Sequence, residues 1–207
     1  NTQYGTKTLL DGSKGGNGVT TGENLEYVGA NETTKGSGRR GYEVVIRQAA
    51  TQAIVRGSLA LDNNIIDRGE QITLSEGNKT VTFQTIKGET VETNLNALEK
   101  AIKDAGLRIR MNRPLQMNTD ANAPQILEFQ HLDYGSEHSF RVSSTTAGIL
   151  SSAGDVYDTV QNGLDVHGEI NGEEAKGRGQ ILTGGPGAAK VEGLQIRYMG
   201  EDVGYSK

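Results

Sequence analysis

The stretch TNLNALEKAIKDAG, Thr93 to Gly106, decides how the chain is read. Its apolar residues Leu95, Leu98, Ile102 and Ala105 are spaced three, four and three apart, which lines one face of a helix. Thr93 or Asn94 can cap the free N–H groups at the start. Glu99 precedes Lys103 by four residues, the favourable order for an ion pair along a helix. Gly106 can take the left-handed conformation that ends it. The pattern predicts a helix over about 93–105.

The stretches around this helix alternate with period two. In ITLSEGNKTVTF (72–83), Ile72 and Leu74, then Val81 and Phe83, share a face, and SEGNK supplies a turn, so a hairpin is expected. LRIRM (107–111) places Leu107, Ile109 and Met111 together, and ILEFQHL (126–132) and SFRVSS (139–144) read as two more strands. The β-branched run Val44-Val45-Ile46 begins another strand; the adjoining segment, rich in Ala and Gln, fits a long bent strand or a strand–helix pair. One helix packed on a face of an antiparallel sheet gives an α+β fold that is mainly β, built of short strands and hairpins.

Composition agrees with that economy. Hydrophobic residues make up 34 % of the 207, with 3 Phe and no Trp, so the core must be thin and largely aliphatic. The 29 glycines against 3 prolines suit short strands joined by tight turns. Residues 1–41, dense in Gly, Thr, Asn and Lys, read as irregular structure with one or two short edge strands, or as a disordered loop over 29–41. Toward the other end, Asn171-Gly172 is the strongest short hairpin signal, because a type I′ turn needs positive φ at both central residues. VEGLQIRYMG (191–200) alternates, with Leu194, Ile196 and Tyr198 on one face.

The same composition excludes several functions. A net charge of −5 gives no basic patch for phosphate backbones, so no nucleic-acid partner is expected. No run of eighteen apolar residues is present to span a membrane as a helix. The absence of cysteine removes disulfides, thiol catalysis and thiolate-bound metals.

The remaining polar chemistry is sparse. His131 and His138 bracket Asp133 and Glu137, and such a group can ligate a divalent ion. The spacing matches no zinc pattern, however, and Tyr134-Gly135-Ser136 reads as a hairpin turn, which makes surface-turn histidines the plainer interpretation. His167 stands apart from both. A triad of Ser136, His138 and Asp133 lacks the strained strand–turn–helix that presents a serine nucleophile. GGPG (184–187) and the glycines near 12–18 lack the Gly-Lys-Ser/Thr of a phosphate loop, and the pair Glu173-Glu174 reads as a solvated face. The expectation is a protein with no catalytic, cofactor-binding or metal-binding residues.

Several stretches resemble bacterial flagellin. NTQYGTKTLLDGS (1–13) is similar to the junction where the amino-terminal helices of flagellins give way to the first turn and strand. GEINGEEAKGRGQILTG resembles the Ile-Asn-Gly element of the hook-IN motif, shared with filament-capping and hook-associated proteins. YGSEHSFRVSS and VEGLQIRYMG look like companion segments of the outer domains. The resemblance is nearly continuous from about 126 to 200 and patchy before that, and the opening motif points to flagellin rather than to the cap.

The resemblance implies the surface-exposed outer domains of a longer filament subunit, exported by the flagellar secretion system to the outside of the cell. It implies a base-proximal β domain from 1–42 together with 151–207, and an inserted α+β, hook-IN-like domain at 43–150. It implies neighbouring flagellin subunits as partners, met mainly through core helices absent from this chain, and a monomeric isolated fragment. The alternatives are a hook-associated or filament-capping domain, and an adhesin or carbohydrate-binding β module.

Overall fold

A computed structural model describes residues 18, 20–37, 40–113 and 120–206. The stretch 1–13 that carries the flagellin-like opening lies outside the described residues. The protein is mainly β, with 36 % strand and 12 % helix. In order the chain runs β1 (Leu25–Gly29), β2 (Val44–Gln48), β3 (Gln52–Arg56), α1 (Asn63–Arg68), β4 (Gln71–Glu76), β5 (Lys79–Gln84), α2 (Val91–Asp104), β6 (Ile109–Met111) and β7 (Glu128–Tyr134). It continues through β8 (Arg141–Ser144), β9 (Asp158–Thr159), β10 (His167–Ile170), β11 (Glu173–Arg178), β12 (Ile181–Gly184), β13 (Gln195–Tyr198) and β14 (Gly204–Ser206).

Two compact units form. The first comprises the described residues of Asn1–Thr51, Tyr134–Glu137 and Leu164–Lys207; the second comprises those of Gln52–Asp133 and His138–Gly163. These limits differ from the expected division at 42/43 and 150/151. Val44–Gln48 pairs with β10 and β14, in the first unit, while Asp158–Thr159 pairs with β8, in the second. A β-rich texture shows that a segment is a strand; it does not reveal which sheet takes it.

The first unit is a seven-stranded sheet in the order β1-β13-β12-β11-β10-β2-β14. Burial alternates along β2 and β10–β13, so Val44, Ile46, Ile170, Ala175, Leu182, Ile196 and Tyr198 fall on one buried face. Val166, Val191 and Leu194, from the connections, close the core. The chain passes so close at Gly177 that a Cβ there would lie 1.6 Å from the Val166 carbonyl oxygen, which only glycine permits. Strands β10 and β11 join through Asn171 and Gly172, whose φ angles of 56° and 73° meet the type I′ requirement at both positions.

The second unit holds a four-stranded sheet, β5-β4-β8-β9, and a three-stranded one, β3-β7-β6. The Ala/Gln-rich segment after Ile46 is thus a separate strand, β3. Strands β4 and β5 turn at Gly77-Asn78, with Glu76 opposite Lys79 and Gly77 at φ 59°. Helix α1 starts on Asp62, whose carboxylate accepts from the Ile65 N–H at 2.9 Å, and buries Ile65 and Ile66.

Helix α2 begins two residues earlier than the periodicity suggests. Thr90, rather than Thr93 or Asn94, is its cap, accepting from the Thr93 N–H at 3.0 Å. Asn94 is instead buried within the apolar stripe. Its Oδ1 accepts from the Ile86 N–H at 2.7 Å and its Nδ2 donates to the Thr90 carbonyl at 3.0 Å, so both sides of the turn entering the helix are tied to one side chain. Val91, Leu95, Leu98 and Ile102 complete the buried face, and Gly106 lies just beyond at φ 68°. The helix packs against both β5 and β6 and so serves two sheets rather than the single one expected.

The type I′ turn gives a direct test. Nothing crowds a Cβ at Gly172, so any cost of substitution there is backbone strain. Gly172→Val is expected to lower stability by about 1–2 kcal/mol, read as a shift in the urea midpoint, with unchanged stability contradicting the turn assignment.

Candidate functional site

The histidines supply the densest titratable cluster among the described residues. His131 and Asp133 lie on β7, and His138 comes after it in the second unit. One potential ligand atom from each of the three lies within 4.8 Å of the others. Two residues considered with them go elsewhere: Glu137 pairs with Arg178 at 2.8 Å, and the Ser136 hydroxyl donates to Asp165 at 2.5 Å, both within the first unit. Within the first unit the Ser136 hydroxyl proton is thus directed to a carboxylate. His167 stands exposed at the start of β10.

The other donors of the cluster are engaged. The Asp133 N–H donates to Nδ1 of His131 at 2.9 Å, which leaves the ring proton on Nε2, facing the Glu76 carboxylate at 3.3 Å. Arg108 grips both oxygens of Asp133, at 2.5 and 2.6 Å. The rings of His131 and His138 stack at 5.0 Å with 28° between their planes. His131 itself is 1 % exposed. These contacts tie His131 and Asp133 of β7 to Glu76 of β4 and to Arg108, at the entrance of β6. Arg108 and Glu76 do not stand out in the sequence, although the alternation of LRIRM puts Arg108 and Arg110 opposite the apolar face.

Electrostatics obey the contacts. The Arg108 guanidinium holds the Asp133 carboxyl below the usual carboxylate range, outweighing partial burial. At Asp165, burial pulls the carboxyl upward, but hydrogen bonds from the Ser136 hydroxyl and from the Gly179 and Ser136 N–H groups together bring it below its ordinary value.

Two cavities open beside β6. One of about 820 Å3 is lined by Arg56, Arg110, Asn112, Arg113, Ile126 and Glu128. A smaller one, about 270 Å3, runs between α2 and β6, with Ile102, Lys103, Leu107, Ile109 and Arg110 in its walls. Arg56 is paired with Glu128 at 3.2 Å, and Arg113 lies at 3.5 Å from Glu92 and 3.4 Å from Glu99. Arg110 bonds the neutral Gln130 at 2.9 Å.

The combination of a seven-stranded β unit with a helix-bearing two-sheet unit defines a class already seen in solved structures. The D2-D3 domains of the flagellar cap protein FliD from Escherichia coli superpose with a TM-score of 0.56 at 13 % identity, over 90 % of this chain and 94 % of that one. The corresponding Serratia marcescens domains give 0.52 at 15 % identity, over 87 % and 95 %. An Escherichia coli form that also includes D1 gives 0.54, with 90 % of this chain covering 52 % of it. At such identities the likeness is one of fold. No family model matches the sequence, and no curated protein does.

The Arg108–Asp133 pair makes stability depend on pH with a defined sign. A depressed folded-state value means its contribution is present above about pH 4, the unfolded carboxyl range, and is lost as pH falls toward the folded value. The stability difference between the parent and Asp133→Asn should therefore narrow from neutral pH down to about pH 2 in a series of urea titrations. A difference that stays constant across the series would contradict the assignment.

Proposed function

We propose that this chain is the outer part of a flagellar structural protein of the cap type, acting outside the cell and without catalysis. The observation that carries this reading is the agreement of both units, over nearly their whole length, with cap-protein D2-D3 domains. The cap-type reading fits this fold better than the filament-subunit reading favoured by the opening motif. The local features are consistent with a structural role: His131 and Asp133 are held by Glu76 and Arg108, and the Ile170-Asn171-Gly172 element serves as a hairpin of the first unit's sheet. Its partners in this proposal are other subunits of the flagellar apparatus.

A second reading, flagellin itself, rests on the resemblance of residues 1–13. Immunogold labelling of flagella in the native host, with antibodies raised to the 207-residue chain, separates the two. The cap-type reading expects gold at the filament tip alone. Label along the full filament would establish the flagellin reading instead, and flagella without label would remove both.

A further inference from the structure

The edge of β6 that faces away from β7 carries backbone groups with no hydrogen-bond partner among the described residues. In the ladder with β7, the Leu132 N–H donates to the Arg108 carbonyl and the Asn112 N–H to the Glu128 carbonyl, each at 2.9 Å. With Arg110 opposite Gln130, this alternation turns the backbone groups of Arg108, Arg110 and Asn112 toward β7. The N–H and C=O of Ile109 and Met111 must then point the other way. β6 ends its sheet on that side, and among the described residues no hydrogen bond reaches these groups. Ile109 is nevertheless only 4 % exposed. A row of edge N–H and C=O groups of this kind is a template on which another strand can pair. The cavity of about 270 Å3 between α2 and β6 lies along this edge.

We propose that the β6 edge takes up an extended, acidic peptide segment of another protein, which adds a strand to the three-stranded sheet. Strand addition supplies the missing hydrogen bonds through the main chain and leaves selectivity to alternate side chains. The charges decide which peptide. Arg110 has a neutral hydrogen-bond partner in Gln130, and Lys103 lines the same cavity. Glu99, the acidic residue in that wall, lies 3.4 Å from Arg113. A carboxylate on the incoming strand, on the face that carries Arg110, would therefore meet a cation that is held by a neutral amide. A second copy of this chain is a poorer occupant, because pairing β6 with itself sets Arg108 and Arg110 against like charges. Such binding goes beyond the structural role proposed for the chain and does not require the cap-type reading.

The test titrates an acetylated, amidated Thr-Val-Glu-Val-Thr peptide into the isotopically labelled full chain and monitors the amide resonances. Saturable shifts at Ile109 and Met111, with slowed hydrogen exchange there, are expected. Replacing the peptide's Glu by Lys should weaken binding by about two- to five-fold or more, the range of one exposed ion pair. Met111→Pro removes an edge N–H that plays no part in the β7 ladder, so the protein should fold and lose the peptide. Should that variant disturb the fold, a peptide N-methylated on its pairing edge supplies the same control and should not bind. The proposal is overturned if Ile109 and Met111 show no saturable shift, if Lys and Glu peptides bind alike, or if the N-methylated peptide binds undiminished. It is equally overturned if, in the free protein, these two amides are as protected as that of Arg110, since the edge would then already be covered.

Discussion

The apolar stripe of α2 is the contact on which the second unit depends. Neither of that unit's sheets, of four and three strands, can bury a face alone, and the helix packs against an outer strand of each. Val91, Leu95, Leu98 and Ile102 are all at most 3 % exposed. Burying one such aliphatic side chain contributes about 1.5–3 kcal/mol, so the stripe is a large share of the burial that a chain with 3 Phe and no Trp can assemble. Asn94 sets the helix's rotation. Its amide is satisfied only where Ile86 and Thr90 present backbone groups, so turning the stripe would orphan a buried polar side chain.

A second polar fixture serves the same unit. Glu70 is 2 % exposed, yet Thr146 donates to both of its oxygens, from its backbone N–H at 2.9 Å and its hydroxyl at 2.6 Å. Thr85 bonds the Glu70 N–H and the Ile66 carbonyl at 2.9 and 3.0 Å, linking α1 to the entrance of β4. The first unit solves its problem differently. It uses no α-helix among the described residues and relies on the alternating burial of its strands, with glycine where the chain must pass close to itself.

Local patterns were legible in the sequence wherever one element's own chemistry decided it. The hairpin at 72–83 pairs Ile72 with Phe83 and Leu74 with Val81, as its alternation required. Leu194, Ile196 and Tyr198 share a buried face. Two kinds of feature were not legible. Sheet membership depends on partners far along the chain: β2 pairs with β10 and β14, and β9 with β8. A polar residue inside an apolar stripe reads as a cap until its partner is known, as Asn94 shows. At the candidate site, the sequence grouped His131, Asp133, Glu137 and His138 and read the histidines as belonging to a surface turn; ligand atoms of His131, Asp133 and His138 do come together, but Glu137 pairs with Arg178, and His131, within β7, is buried. The role of Arg108 in holding Asp133 depends on β6 lying beside β7, a pairing across 25 residues that no local spacing reveals.

The fold rests on a thin aliphatic core and on sheets tied together by paired polar groups. Its keystone is the helix stripe, and the most direct measurement is the stability of Leu98→Ala in urea. Leu98 is 1 % exposed at the middle of that stripe. The expected loss is about 2–5 kcal/mol, the range for emptying a fully buried leucine site. A loss below about 1 kcal/mol, the scale of a surface substitution, would show that the helix does not close the core of the second unit.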